Sequence, residues 1–197
     1  MRIAIVAGEP SGDVLAAGLI AALQRQYPEA QFFGIGGEQM QARGFDALFS
    51  MDSIALMGIE SVIKDIRNIL KIRRSIRDRI IAAQPDCFIG VDVPDFNLSL
   101  ERQLREQGIK VMHYVSPSVW AWRGYRIHKI KRAVDRMLTL FPFEKQYYDQ
   151  HGIPATYIGH PTASKATKIL AQTDRTQRQH TIALLPGSRG AEVAGLL

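Results

Sequence analysis

Short apolar runs rich in β-branched residues alternate with longer helical patterns along almost the whole chain, and this alternation limits the fold more than any other feature. The runs are Ile3–Ala7, Gln31–Gly34, Cys87–Val91, Lys110–Tyr114, Arg136–Leu140, Thr156–Ile158 and Thr181–Leu185. Several are apolar nearly throughout, as strands are when both faces of a parallel sheet are covered. Helical patterns lie between them, at Asp13–Tyr27, Asn97–Gln107 and Glu144–His151, and Gly108 reads as a helix stop. Strand–helix alternation predicts an α/β fold with a doubly wound, mostly parallel, Rossmann-like sheet. The stretch Ala171–His180 is polar and without periodicity and reads as a linker. A new strand and turn begin at Thr181–Gly187, and too few residues remain to complete a second domain. The expected organisation is one domain over 1–170, a linker over 171–180, and the truncated start of another domain over 181–197.

The hydrophobic fraction is 46% and the mean hydropathy −0.07, as in a soluble globular protein. No apolar run approaches the roughly 20 residues that cross a bilayer. Ile3–Ala7 is too short for the core of a secretory signal, so a cytoplasmic location is expected. The lone cysteine, Cys87, excludes an internal disulfide and reads as a small buried hydrophobe. The net charge of +6 points to an anionic partner: nucleic acid, a membrane surface or a phosphorylated substrate. No helix-turn-helix, zinc-ligand or RNA-binding signature accompanies it, so nucleic acid is not expected.

Ligands of open α/β sheets bind beyond the carboxyl ends of the strands, where several motifs fall. Gly8-Glu9-Pro10-Ser11-Gly12-Asp13 follows the first run. It has neither the dinucleotide glycine spacing nor a P-loop lysine. Ser11 or Asp13 is either a helix cap or a ligand contact. Gly90-Val91-Asp92-Val93-Pro94-Asp95-Phe96-Asn97 places two carboxylates after an apolar strand. Asp95 and Asn97 suit a cap on the next helix; Asp92 comes too early for that and is the candidate base for deprotonating a hydroxyl. The segment His113–Arg123 holds Ser116, Trp120, Trp122 and Arg123, aromatic faces beside a cation that suit a sugar ring or acyl chain, or merely fill a core gap. Arg126–Arg132 is a basic helix that can face phosphate. Gly159-His160-Pro161 sets a histidine at another strand end. Leu184–Gly190 runs into a glycine turn with Gly187, Ser188 and Arg189, which suits a nucleotide diphosphate.

These motifs, with Met57-Gly58-Ile59 and Pro142-Phe143-Glu144-Lys145, resemble in order and spacing the lipid-A-disaccharide synthases over essentially the whole chain. The resemblance implies the acceptor-binding half of a two-domain GT-B glycosyltransferase. The activity implied is transfer from UDP-2,3-diacylglucosamine to 2,3-diacylglucosamine 1-phosphate (lipid X), with inversion and release of UDP. No metal and no cofactor are implied. Asp92 matches the family's base. Glu9, Ser11, Gly12, Asp95, Asn97, Ser116, Trp120, Arg123 and His160 are candidate acceptor contacts, and Gly187, Ser188 and Arg189 candidate donor-diphosphate contacts. Most of the donor domain lies beyond this sequence, so the chain alone is expected to be inactive. The rival readings are another GT-B enzyme acting on UDP-GlcNAc and a non-catalytic basic membrane-surface module.

Ile54 to about Ile80, drawn as one helix, gives an apolar stripe from Ile59, Val62, Ile63, Ile66, Ile69 and Leu70, flanked by Lys64, Arg67, Lys71 and Arg74. That pattern fits a crossover helix burying one face on its own sheet, or a helix lying in a membrane interface. Ile54, Leu56, Met57 and Ile72 fall outside the stripe, and the implied substrates are lipids. The reading favoured is peripheral docking on the inner leaflet of the inner membrane, through Leu56, Met57, Lys64, Arg67, Lys71 and Arg74.

Overall fold

A computed structural model describes residues 1–55 and 62–172, with Ile182, Leu184 and Leu185. The elements run β1 (Arg2–Ala7), α1 (Pro10–Gln26), β2 (Gln31–Gly36), α2 (Glu38–Gln41), β3 (Asp46–Ser50), α3 (Asp52–Ala55), α4 (Val62–Ala83), β4 (Cys87–Val91) and α5 (Pro94–Glu106). They continue with β5 (Lys110–Tyr114), a 3₁₀ turn at Gly124–Arg126, α6 (Ile127–Ala133), β6 (Arg136–Thr139), α7 (Pro142–Gln150), β7 (Ala155–Tyr157) and α8 (Pro161–Gln172). The chain divides into two compact units, Met1–Ala163 and Ser164–Leu197. The described part of the second is the remainder of α8 and three exposed apolar residues.

The strands form one sheet in the order β3-β2-β1-β4-β5-β6-β7, and every pairing is parallel. Alternate residues of each apolar strand feed opposite layers. Ala4, Val6, Phe88 and Val111 join Ile76 and Ile80 of α4 with Leu100 and Leu104 of α5. Ile3, Ile5, Ala7 and Ile89 join Ala16, Ala17 and Ile20 of α1. The doubly wound Rossmann-like architecture expected from the alternation is present. Cys87 is partly buried against the second layer; burial, aided by the Asp86 charge, pushes its thiol up to about 11, consistent with an inert apolar residue.

Two details differ from the sequence reading. Edge strand β3 and short helix α2 are additional; β3 is only half-buried, and its apolar run is limited to Ala47, Leu48 and Phe49. The segment after β3 is not one helix from Ile54. Ile54 belongs to the separate α3 and is buried against the core, and Ile72 packs partly on that core, so the sheet accommodates both. The C-terminal half of α4 is a crossover helix, with Ile76 and Ile80 buried. Its N-terminal half exposes Ile66 and Leu70 beside Arg67, Lys71 and Arg74. Leu56, Met57 and the Lys64 side chain lie outside the described residues.

Candidate functional site

Strand order reverses between β1 and β4: β1 leads outward to β2 and β3, while β4 begins the run to β7. In such sheets a crevice opens beyond the carboxyl ends at that point. Its walls are the β1–α1 loop and the β4–α5 loop. They touch at Gly8, where a Cβ would meet Ile54 Cδ1 at 2.8 Å and Val93 Cγ2 at 2.9 Å.

Asp92 and Val93 are both left-handed, with φ of 54° and 43°. For a β-branched residue that conformation costs energy and persists only where the surroundings enforce it. Here Asp92 N–H donates to Tyr114 O at 2.9 Å. Asn97, fully buried, donates its side-chain amide to the carbonyls of Asp92 (2.8 Å), Val6 (3.3 Å) and Val91 (3.4 Å). Asn97 therefore fastens the loop to the ends of β1 and β4. It caps no helix, and neither does Asp95: α5 starts at Pro94, the cap residue is Val93, and no side chain bonds there. Asp92, half-buried, stands at the crevice.

Beneath this loop lies a pair the sequence reading missed. His113 on β5 and Glu101 on α5 are each fully buried, with Nδ1 and Oε1 2.6 Å apart. Gly90 makes room for them, since a Cβ there would come within 2.0 Å of Glu101 Oε1. Burial works against an imidazolium. The charge and hydrogen bond of Glu101, the charge of Asp92 and a backbone bond at Val115 outweigh it and raise the His113 pKa. Val115, the residue after β5, is also left-handed, at φ 79°, so strained backbone gathers at two adjacent strand ends. A histidine inside an apolar run and a glycine inside a strand were the visible signals.

At the first loop, Pro10 opens α1, and its cap residue Glu9 makes no side-chain cap bond. Ser11 is exposed within the helix and Gly12 is buried, so Ser11 and Asp13 do not cap α1. Asp13 instead accepts from the backbone N–H groups of Gly37 (3.0 Å), Gln39 (3.0 Å) and Met40 (3.1 Å), capping α2 across the layer. Gly37 is required there, because a Cβ would sit 2.5 Å from Asp13 Oδ2.

Farther along the same sheet edge, Ser116 Oγ lies 2.9 Å from the Oη of buried Tyr148. Trp120, 47% exposed, meets Phe143 edge-on at 4.9 Å. Phe143 stacks with Phe141, whose ring is 6.2 Å from that of His160. These side chains form a partly exposed aromatic ridge. His160 Nδ1 accepts from Thr162 N–H at 3.1 Å at the start of α8. Arg123, left-handed at φ 54°, lies over the Trp122 ring at 4.1 Å. Thus Glu9, Ser11, Asp92, Asp95, Ser116, Trp120, Arg123 and His160 fall along one edge of the sheet, with Glu9 and Asp92 following the two strands, β1 and β4, that flank the reversal. Gly187, Ser188 and Arg189 lie outside the described residues. Among the described residues, no group of three or more His, Cys, Asp or Glu is arranged to hold a metal.

Comparison with known proteins gives the lineage. A sequence model of the family described as lipid-A-disaccharide synthetase matches residues 3–197. The lipid-A-disaccharide synthase of Aeromonas hydrophila is 52% identical over 199 residues, covering 98% of this chain and 52% of that protein. The Saccharophagus degradans enzyme of the same name is 50% identical over 203 residues, covering 99% and 52%. The chain thus spans about half the length of the curated relatives it matches. Among solved structures, UDP-GlcNAc 2-epimerase from Neisseria meningitidis bound to UDP-GlcNAc superposes with a TM-score of 0.60 at 15% identity, over 90% of this chain and 53% of that one. That likeness concerns the fold alone. The family match and the identity across nearly every residue show that the chain belongs to the lipid-A-disaccharide synthase family.

Proposed function

We propose that this chain is the acceptor half of a hexosyltransferase joining UDP-2,3-diacylglucosamine to lipid X, and that Asp92 is its base. One observation carries the reading: a half-buried carboxylate is held in a strained left-handed conformation at the strand-order reversal, over a buried imidazole–carboxylate pair. Asp92 takes the proton from the acceptor 6-hydroxyl. The oxygen of that hydroxyl forms a bond to the donor's anomeric carbon from the side opposite UDP. The bond to UDP breaks with its electron pair on the diphosphate, and the centre inverts. Arg189, with Gly187 and Ser188, meets the departing diphosphate. The aromatic ridge around Trp120 offers apolar surface to a sugar face or an acyl chain.

Substrates of this kind reside in a bilayer. No helix among the described residues is long and apolar enough to cross one. The reading is therefore peripheral docking on the inner leaflet through the exposed start of α4. The test of the base uses this chain joined to the remaining length found in its relatives. Asp92→Asn lowers kcat roughly 10²–10⁴-fold with little change in acceptor KM; near-normal turnover assigns the base elsewhere. The 197-residue chain by itself yields no disaccharide, and product from it would relocate the donor site.

A further inference from the structure

A pocket of about 300 Å³ opens between α5 and α6, on the outer side of the helix that carries the Asp92 loop into the fold. Pro94, Asp95, Leu98, Ser99 and Arg102 line it from α5, spaced so that they form one stripe of that helix. Arg126, Lys129 and Arg132 line it from the other side. Four cationic side chains thus face one carboxylate. Part of that charge is already balanced. Arg126, whose side chain is only 15% exposed, is paired to Asp95, which is 65% exposed. Arg102 pairs with Glu106 at 3.1 Å, and Arg132 Nε donates to the His128 carbonyl at 3.2 Å. The Lys129 side chain has no hydrogen bond or ion pair among the described residues. A net positive charge remains, on the Lys129 ammonium and the Arg132 guanidinium, whose N–H donors suit phosphate oxygens.

We propose that this pocket is a phosphomonoester site and that it takes the anomeric phosphate of the acceptor. The source of the phosphate rests on the function proposed above; the pocket's anion chemistry does not. Position supports the source. Pro94 and Asp95 line the pocket, and Asp92 precedes Pro94 by two residues. In a hexose 1-phosphate the phosphate and the 6-hydroxyl hang from the two carbons flanking the ring oxygen. A base for that hydroxyl and a cradle for that phosphate must therefore lie within one sugar ring of each other. Asp95 acts as the internal counter-ion of the empty pocket: its carboxylate occupies Arg126 until a phosphate displaces it.

Two substitutions at one ion pair then have opposite signs. Arg126→Gln removes a charge-assisted donor and weakens phosphate binding roughly tenfold. Asp95→Asn removes the competitor and strengthens it. Generic destabilisation moves both in one direction. The measurement is ¹H–¹⁵N NMR of the 197-residue chain, titrated with N-acetylglucosamine 1-phosphate and with inorganic phosphate. Sedimentation with phosphatidylcholine vesicles, with and without phosphatidic acid, runs in parallel. Saturable shifts at Ser99, Arg102 and Lys129, tighter for the sugar phosphate and shifted in opposite directions by the two variants, uphold the proposal. Binding of phosphatidic acid vesicles alone, lost in Arg126→Gln, keeps the phosphomonoester site and overturns its assignment to the acceptor. Shifts elsewhere, or none at millimolar ligand, overturn the site itself. The NMR arms need no turnover, so they stand or fall separately from Asp92 as base.

Discussion

An imidazole and a carboxylate withdrawn together from water gain more from sharing an ionic hydrogen bond than either gains alone, and His113 and Glu101 are placed for that. Both are fully buried, 2.6 Å apart. The His113 pKa is raised because the Glu101 and Asp92 charges overcome the opposing effect of burial. The sign of the pH dependence follows. A raised folded value gives stability that is fully present below the ordinary histidine pKa of about 6.5 and is lost as pH rises through the folded value. His113 is therefore expected to keep its second ring proton to a higher pH than an ordinary histidine, which long-range ¹H–¹⁵N NMR reads directly from its ring nitrogens. Glu101→Gln breaks the buried pair: the ring loses its proton at a lower pH, and where it stays charged the lost partner costs about 3–5 kcal/mol in denaturant unfolding. Asp92→Asn, on a half-buried loop, lowers the His113 titration without unfolding the chain, and an unmoved titration would separate the pair from the site. Gly90→Ala drives a methyl into the space of Glu101 Oε1 and costs about 1–3 kcal/mol by overpacking.

Four of the helices that follow strands begin in a common way: α1, α5, α7 and α8 each open at a proline, Pro10, Pro94, Pro142 and Pro161. Proline fits the first helical position because its fixed φ is already helical and its missing N–H has no partner there. The side-chain oxygens nearby are thus released from capping their own helices. Asp13 caps α2 and Asn97 ties down the Asp92 loop; Glu144 is the exception, accepting from the N–H groups of Leu140 (3.2 Å) and of Phe141 (3.0 Å), the cap residue of its own helix α7. Asp13→Ala should destabilise the chain by roughly 2 kcal/mol, at the upper end for a lost cap. Ser11→Ala, at an exposed position in the same first turn of α1, should stay within about 0.5 kcal/mol; equal effects in thermal unfolding would contradict the cap assignment. This pattern also explains what was legible in the sequence. The interior strands were readable because a parallel strand carries its burial in its own composition, and Asp92 because it directly ends such a strand. The helical patterns at Asp13, Asn97 and Glu144 begin two or three residues after the true starts at Pro10, Pro94 and Pro142, because proline reads as a break in a helical pattern although it fits the first helical position. The His113–Glu101 pair was not readable, since it depends on which turn of α5 lies over which residue of β5. Edge strand β3, half-exposed and with polar residues on both sides of the short run Ala47–Phe49, carries a weaker signature.

The net charge of +6 is unevenly borne by the molecule's layers. Arg67, Lys71 and Arg74 of α4, Arg102 and Arg105 of α5, and Lys129, Lys131 and Arg132 of α6 all lie on helices whose apolar sides pack on one face of the sheet. Neighbouring helices in that layer touch, α4 with α5 and α5 with α6. A layer that presents cations outward, next to exposed Ile66 and Leu70, has the two features that hold a protein on an anionic bilayer: charge to attract it and apolar side chains to enter it. The alternative is that α4 is a crossover helix along its whole length, with solvated charges that bind nothing. The two differ in what salt and substitution do. Each cation close to an anionic leaflet contributes about 1 kcal/mol, so Arg67→Gln/Lys71→Gln/Arg74→Gln should weaken co-sedimentation with anionic vesicles roughly hundredfold at low salt. High salt should weaken the wild type and leave this variant nearly unchanged, because its electrostatic contribution is already gone. Ile66→Ser/Leu70→Ser should weaken binding at both salt concentrations, since buried apolar area is not screened. Neither set touches Ile76 or Ile80, so the core half of α4 and the circular dichroism of the fold should be preserved. If both folded variants bind as tightly as the wild type, α4 serves only the sheet, and the cations of α5 and α6 are what the membrane meets.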